Sequence, residues 1–170
     1  FDTTDNTLNR LNFAHDTKAD LFETDNQIVF EDQIGAVHHQ LLAGIDYKYY
    51  RIDQWQATGP ADQLDPINPN YTDNLGALYA PYLDEIVDMN QLGFYAQEQA
   101  KFGDGWILTL NGRYDNVWID RDDRTALNND YDREDGAASG RAGLAYEFGN
   151  GLTPYVSASR FFQPQIGTDT

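Results

Sequence analysis

The sequence predicts an all-β fold: an antiparallel up-and-down meander that forms a segment of a transmembrane β-barrel. Two observations predict it. Polar and apolar side chains alternate along most of the chain, and the connections between the alternating segments run short, long, short, long, short. Strict alternation gives a strand two unlike faces. In a transmembrane barrel one face meets lipid and the other a polar lumen, while short periplasmic turns alternate with long extracellular loops.

The clearest alternation lies in residues 106–115. One parity is apolar or aromatic and consists of Trp106, Leu108, Leu110, Gly112 and Tyr114. Apart from Ile107, the other parity is polar or charged and consists of Thr109, Asn111, Arg113 and Asp115. Arg113 and Asp115 are therefore expected on the lumen face, where they would pair with each other or with a plug inside the barrel.

Six strands are predicted, at residues 8–32, 38–54, 89–102, 106–120, 137–148 and 153–162. Glu98 interrupts the apolar parity of the third strand. Short turns are predicted where glycines supply positive φ angles, near 33–37, 103–105 and 149–151. Two long loops are predicted: residues 55–88, which contain four of the six prolines, and the acidic residues 121–136.

Composition restricts the partners and the chemistry. The net charge of −17 would repel phosphate backbones, so no nucleic-acid partner is expected. The absence of cysteine excludes disulfides, thiolate zinc sites and a cysteine nucleophile. The mean hydropathy of −0.63 indicates no transmembrane helix, whereas barrel strands need only about 10 alternating residues each.

Four segments resemble, in order, successive barrel strands of TonB-dependent siderophore receptors, most strongly the ferrichrome-type hydroxamate receptors. These segments are residues 39–47, 93–100, 110–115 and 153–164. The resemblance covers most of the chain from about residue 8. The sixth strand departs from it, because Arg160 and Phe161 stand where the family usually shows glutamate and serine.

The resemblance implies a receptor in the outer membrane of a Gram-negative bacterium, with a barrel of about 22 strands around a plug. Residues 1–170 would be part of the β-barrel domain, with the plug domain and the C-terminal strands absent. The chain carries no recognisable signal peptide, and we interpret it as a piece of a longer protein. The implied partners are a ferric siderophore, expected to be of the hydroxamate type, outer-membrane lipid, and TonB, which would act through the missing parts.

Two aromatic residues are candidates for ligand binding. Trp55 stands where the second strand is predicted to enter the long loop, near a position at which ferrichrome-type receptors line the outer siderophore pocket with an aromatic residue. Tyr50 has the lumen parity of the same strand. An aromatic face suits a ligand with an apolar scaffold around a metal. For either residue alone, a place in the interfacial girdle of aromatics is the alternative interpretation.

No metal site, cofactor or catalytic site is expected. The acidic run 130–136 does not fit an EF-hand: counted from Asp130, glycine falls at position seven instead of six, and position twelve is Arg141. His38 and His39 are adjacent, so in a strand they point to opposite faces. No nucleophile–base pair or phosphate-binding loop is found, and an enzyme is not predicted.

Two alternatives to the siderophore receptor remain at this point. One is a passive, porin-like outer-membrane barrel. The other is a soluble β-sandwich that binds a ligand such as a carbohydrate, in which the apolar faces bury against each other.

We expect the isolated chain to require detergent, because six strands cannot close such a barrel and would leave strand edges and a lipid-facing surface bare. Circular dichroism and size exclusion, each with and without an outer-membrane detergent, measure this. A β spectrum only in detergent is the expected result. A compact monomer in plain buffer would contradict the lipid-facing assignment.

Overall fold

The computed structural model of the protein describes residues 7–69 and 75–162. Its strands are β1 (Leu8–Ile34), β2 (Val37–Leu64), β3 (Leu83–Phe102), β4 (Trp106–Asp123), β5 (Tyr131–Tyr146) and β6 (Tyr155–Arg160). They form a six-stranded sheet in which every strand lies beside its neighbours in the sequence. The predicted antiparallel meander is confirmed. Among the described residues, no helix is both long enough and apolar enough to cross a membrane.

Several strands are longer than predicted at the ends that join the long loops. β2 continues to Leu64 instead of ending at residue 54, β3 begins at Leu83 instead of 89, and β5 begins at Tyr131 instead of 137. The predicted loops 55–88 and 121–136 are therefore wrong in extent, and the second is reduced to residues 124–130. In these extra residues, Gly59 and Pro60 on β2 and the charged Asp84 and Glu85 on β3 obscure the alternation, although Ala57 and Val87 there are buried.

The three short turns are confirmed. Positive φ angles occur at Gly35 (63°), Gly103 (57°), Gly105 (153°) and Gly151 (85°). An L side chain at such angles would be strained, so glycine is the residue that permits these tight reversals. In the last turn the pairing continues beyond the strand ends, since the amide of Phe148 donates to the carbonyl of Leu152 at 2.9 Å. The reversal itself is thus confined to residues 149–151.

The register between β5 and β6 separates apolar from polar pairs, as the parity of both strands predicts. The apolar pairs are Leu144 with Val156 and Ala142 with Ala158. The intervening pairs, Gly143 with Ser157 and Arg141 with Ser159, carry the polar residues. A shift by one residue would exchange the two faces, so the alternation is what specifies this register.

The chain divides into two compact units. The first unit contains, among described residues, 7–20, 51–69, 75–88 and 120–131. The second contains 21–50, 89–119 and 132–162. Among the residues that the structure describes, the fully or almost fully buried apolar side chains are Ala57 and Val87 in the first unit, and Met89, Ala100, Val117 and Ile119 in the second.

The second unit has two faces of opposite character. Its apolar face is formed by Leu41, Ile45, Phe94, Leu110, Tyr114 and Leu144, all of which are exposed. Its polar face carries Asp46, Lys48, Gln91, Tyr95, Asn111 and Arg113, the residues of the opposite parity. Large apolar side chains left exposed on one sheet face are the pattern of a surface that meets lipid.

Candidate functional site

Arg113 is the centre of the polar face of the second unit. Its guanidinium donates to both carboxylate oxygens of Asp46, with an Nη2–Oδ1 distance of 3.0 Å. On its other side, Nε lies 2.8 Å from Oδ2 of Asp115, which is only 3% exposed. Gln91 donates to the same carboxylate at 2.8 Å. The expected pairing of Arg113 with Asp115 is confirmed, and the planar guanidinium crosslinks β2 to β4.

Two glycines provide the space for this network. A Cβ at Gly93 would overlap the guanidinium of Arg113, and one at Gly44 would overlap the ring of Tyr95. Tyr95 and Arg113 therefore lie against main chain, with the guanidinium carbon 5.8 Å from the ring centre. The hydroxyl of Tyr95 donates to Asp25 on β1 at 2.6 Å. The role of these glycines is not predicted from the sequence. Their signal there is a glycine on the polar parity of one strand, with Tyr or Arg on the polar parity of the next strand.

A cavity of about 500 Å³ opens over this network. It is lined by Glu23, Asp25, Asp46, Lys48, Gln91, Tyr95, Asn111 and Arg113. Carboxylates outnumber basic groups in this lining, and Lys48 lies 3.6 Å from Glu23. The lining offers hydrogen bonds and charge, but it contains no serine, cysteine or histidine that would act as a nucleophile or general base.

A second charged cluster lies in the first unit around Glu85, which is 8% exposed. Its carboxylate accepts hydrogen bonds from the amide of Gln54 and, at 2.5 Å, from Nε of Arg121. The guanidinium carbon of Arg121 also lies 5.9 Å from the ring centre of Tyr131. A nearly buried carboxylate is stabilised when a cation and a second donor satisfy it together, so this cluster joins β2 to the start of β3 and the end of β4.

Asp123 closes the connection from β4 to β5. Its Oδ1 accepts from the amide of Thr125 at 2.9 Å, and its Oδ2 accepts from the amide of Asn129 at 3.1 Å. Asp130 in turn accepts from the amide of Asp123 at 2.8 Å. The hydrogen bonds from Thr125, followed by those from Asn129 and the charge of Arg121, lower the pKa of Asp123 below its ordinary value because they stabilise the ionised carboxylate.

Arg124 links the connection between β4 and β5 to strands β2 and β3. Its Nη2 lies 2.6 Å from Oδ1 of Asp53 and 2.6 Å from Oδ1 of Asp84. Its amide donates to the carbonyl of Asp84 at 2.8 Å. The predicted acidic loop is therefore a compact, ordered turn, and its signal in the sequence is an Asp followed two residues later by Thr, a pattern typical of an Asx-turn.

The two predicted ligand-binding residues both lie within β2. Tyr50, in the second unit, has the parity of Asp46 and Lys48 on the polar face. Trp55, in the first unit, has the parity opposite to Gln54, which points to Glu85. The prediction that Trp55 marks the end of the second strand is wrong, because β2 continues to Leu64. The role of either residue in ligand binding stays a prediction.

The described residues contain no cluster of three or more His, Cys, Asp or Glu side chains that could hold a metal ion. The acidic run 130–136 is not a loop, since β5 begins at Tyr131 and its side chains alternate between faces from there. Arg133 and Asp135 form an ion pair at 2.7 Å within that strand.

The sequence and the fold of this chain match those of known proteins. The family model described as TonB dependent receptor-like, beta-barrel, matches residues 1–170. The chain belongs to this family. Family members are receptors and transporters of the Gram-negative outer membrane and not enzymes, which decides against the soluble β-sandwich.

Similar proteins are siderophore receptors. The ferrioxamine receptor of Yersinia enterocolitica is 35% identical over 173 residues, which cover 95% of this chain and 24% of the receptor. The ferrioxamine B receptor of Salmonella typhimurium LT2 is 33% identical over 166 residues, or 95% of this chain and 23% of that protein. The ferrichrome outer membrane transporter/phage receptor of Escherichia coli K12 is 33% identical over 174 residues, with the same two shares.

The fold agrees with a solved structure. The crystal structure of the ferric citrate transporter FecA in the unliganded form matches with a TM-score of 0.64 over 86% of this chain and 21% of that chain. Sequence identity is 11%, so this likeness concerns the fold alone. The chain spans about a quarter of the length of the curated relatives that it matches.

We expect Gly93→Ala to destabilise the full-length receptor by about 1–3 kcal/mol, because the added Cβ displaces Arg113 and strains a packed site. The thermal midpoint of heat-modifiable migration on gels measures the effect. Gly112→Ala is the matched control: a Cβ there meets nothing within 4 Å, so the midpoint should hold or rise slightly. Equal losses for both variants would contradict the packing role of Gly93.

The lowered pKa of Asp123 predicts how the turn 124–130 responds to acid. A carboxylate with a depressed folded-state pKa contributes stability above its unfolded pKa, and this stability is lost only as the pH falls through the lower folded value. The amides of Thr125 and Asn129 should therefore stay protected from hydrogen exchange down to about pH 4, where an ordinary Asp is half protonated.

Asp123→Asn should reduce that protection at every pH above the folded-state pKa of Asp123, whereas Asp122→Asn, at an exposed neighbouring residue, should leave it unchanged. Hydrogen exchange read by mass spectrometry, corrected for the intrinsic rate at each pH, is the measurement. Loss of protection in the wild type at about pH 4 or above would be inconsistent with a lowered pKa.

Proposed function

We propose that the protein is a receptor that takes up a ferric siderophore, of the hydroxamate type, across the outer membrane with energy supplied through TonB. The observation that carries the proposal is the identity of 33–35% over 95% of the chain to proteins named as ferrioxamine and ferrichrome receptors. Ferrioxamine and ferrichrome share hydroxamate chemistry. The iron stays within the chelate, so the protein need not supply metal ligands.

The two faces of the second unit support this proposal. The apolar face suits contact with lipid, and the polar face suits a lumen through which a hydrophilic solute passes. The cavity over Arg113 and Asp46 presents charged and amide groups that are already paired with one another. Such a surface can exchange hydrogen bonds with a passing solute without exposing a bare charge.

The ligand-binding role proposed for Tyr50 and Trp55 rests on their chemistry. An aromatic ring contributes a large apolar contact area at low cost in side-chain entropy, which suits the organic scaffold of a siderophore. Each residue is proposed separately, since Tyr50 lies in the second unit and Trp55 in the first. An interfacial position remains the alternative for each.

Uptake by the full-length protein tests the proposal. Expressed in a strain that lacks its own hydroxamate receptors, it should restore saturable uptake of radioactive iron from ferrioxamine B or ferrichrome. Deletion of TonB should abolish that uptake. Uptake that is linear in concentration and independent of TonB would instead identify the passive, porin-like barrel.

The same assay examines the two aromatic residues. Tyr50→Ala and Trp55→Ala should raise the concentration that gives half-maximal uptake, without lowering the amount of receptor in the membrane. Tyr114→Ala is the control, because Tyr114 is an aromatic residue of the apolar face and lies 49% exposed. If the Tyr114 variant changes uptake as much as the other two, the aromatic residues do not report a ligand contact.

A further inference from the structure

A histidine–carboxylate pair lies on the apolar face of the second unit. His39 on β2 shares the parity of Leu41 and Ile45, and Glu98 on β3 shares the parity of Phe94. The imidazole Nδ1 lies 2.7 Å from Oε1 of Glu98. The side chains are 32% and 27% exposed. Glu98 is the residue that interrupts the alternation of β3, and this pair is what its side chain forms.

The pair presents two acceptors to its surroundings. Because a carboxylate accepts, Nδ1 is the donor of the shared hydrogen bond, and in the tautomer with a single ring proton Nε2 then carries a lone pair. Oε2 of Glu98 is the second acceptor. Among residues 7–69 and 75–162, neither side chain makes a further hydrogen bond. In that tautomer the pair combines a net negative charge with two outward acceptors on a face otherwise formed by apolar residues.

The position of the pair along the strands corresponds to a membrane–water interface. His39 is two residues from the start of β2 and Glu98 four residues from the end of β3. At about 3.3 Å per residue, both lie roughly 7–13 Å from the short-turn end of the sheet.

Aromatic rings gather at that same end of the sheet. The ring centre of Tyr146 lies 4.9 Å from that of Trp106 and 4.7 Å from that of Phe148, with edge-to-face geometry in both contacts. Aromatic side chains gather at headgroup level in membrane barrels. The His39–Glu98 pair therefore lies at the depth where lipid headgroups, rather than acyl chains, meet the protein.

We propose that His39 and Glu98 bind the ammonium group of a phosphoethanolamine lipid headgroup. A primary ammonium carries a positive charge and three N–H donors, which match the negative charge and the two acceptors of the pair. A choline headgroup carries the same charge without any N–H donor. The neighbouring apolar residues Leu41 and Phe94 provide a surface for the acyl chains of the same lipid.

Lipid retention by the full-length receptor tests the proposal. The detergent-purified protein is exposed to equal amounts of phosphatidylethanolamine and phosphatidylcholine with identical acyl chains, and the lipids retained are read by native mass spectrometry. A charge-assisted hydrogen bond at a half-exposed site should give about a fivefold preference for the ethanolamine lipid. Glu98→Gln should remove most of this preference, and His39→Phe should weaken it.

A matched control comes from the polar face. Glu31 on β1 lies near the same end of the sheet and accepts from Gln40 at 2.6 Å, so Glu31→Gln makes the same chemical change away from lipid. This variant should keep the full preference. Heat-modifiable migration establishes that each variant is folded.

Equal retention of the two lipids by the wild type would overturn the proposal, as would a preference that survives Glu98→Gln. Binding of zinc by the purified protein at this pair, together with equal retention of the two lipids, would overturn the proposal as well. None of these results depends on siderophore uptake, so the lipid site and the proposed transport function succeed or fail separately.

Discussion

Main-chain hydrogen bonding between consecutive strands is the constraint on which the rest of this structure depends. Within a bilayer, an unpaired amide or carbonyl costs several kcal/mol, so every spanning segment must pair with a neighbour. Here each of the first five strands pairs with the next one along the chain. Once the backbone hydrogen bonds are formed in this way, the side chains necessarily alternate between the two faces of the sheet. Lipid on one face and the polar lumen on the other determine which residue types each face tolerates.

The polar face shows how charges are accommodated on such a scaffold. Asp115 is almost fully buried, yet it accepts hydrogen bonds from Arg113 and Gln91, so its charge is compensated on two sides. The glycine at 93 is part of the same arrangement, because the guanidinium occupies the space that a side chain there would need. Removing one partner of such a network leaves another charge unsatisfied, so these residues act as a unit.

The ends of the strands in the first unit are held by different means. Apolar alternation is replaced by ion pairs and by carboxylates that cap backbone amides. Arg124 is held by Asp53 and Asp84, and Asp123 caps the amides of Thr125 and Asn129. This explains why the strand ends are predicted too early from the sequence: charged residues that form these contacts interrupt the alternation, and segments rich in Pro and Asn resemble loops. Pro60 lies within β2, although proline is usually a signal of loop.

The sequence alone determined the strand number, the antiparallel order, the three glycine turns and the shared face of Arg113 and Asp115. These follow from local rules, since alternation has a period of two and tight reversals need residues that tolerate positive φ. Only the tertiary structure decided which side chains meet across strands. Asp46 is 67 residues from Arg113, and Glu98 is 59 residues from His39. Such contacts depend on the register between long strands. Parity assigns each side chain to one face of the sheet, but it does not determine which residues of two strands lie opposite each other.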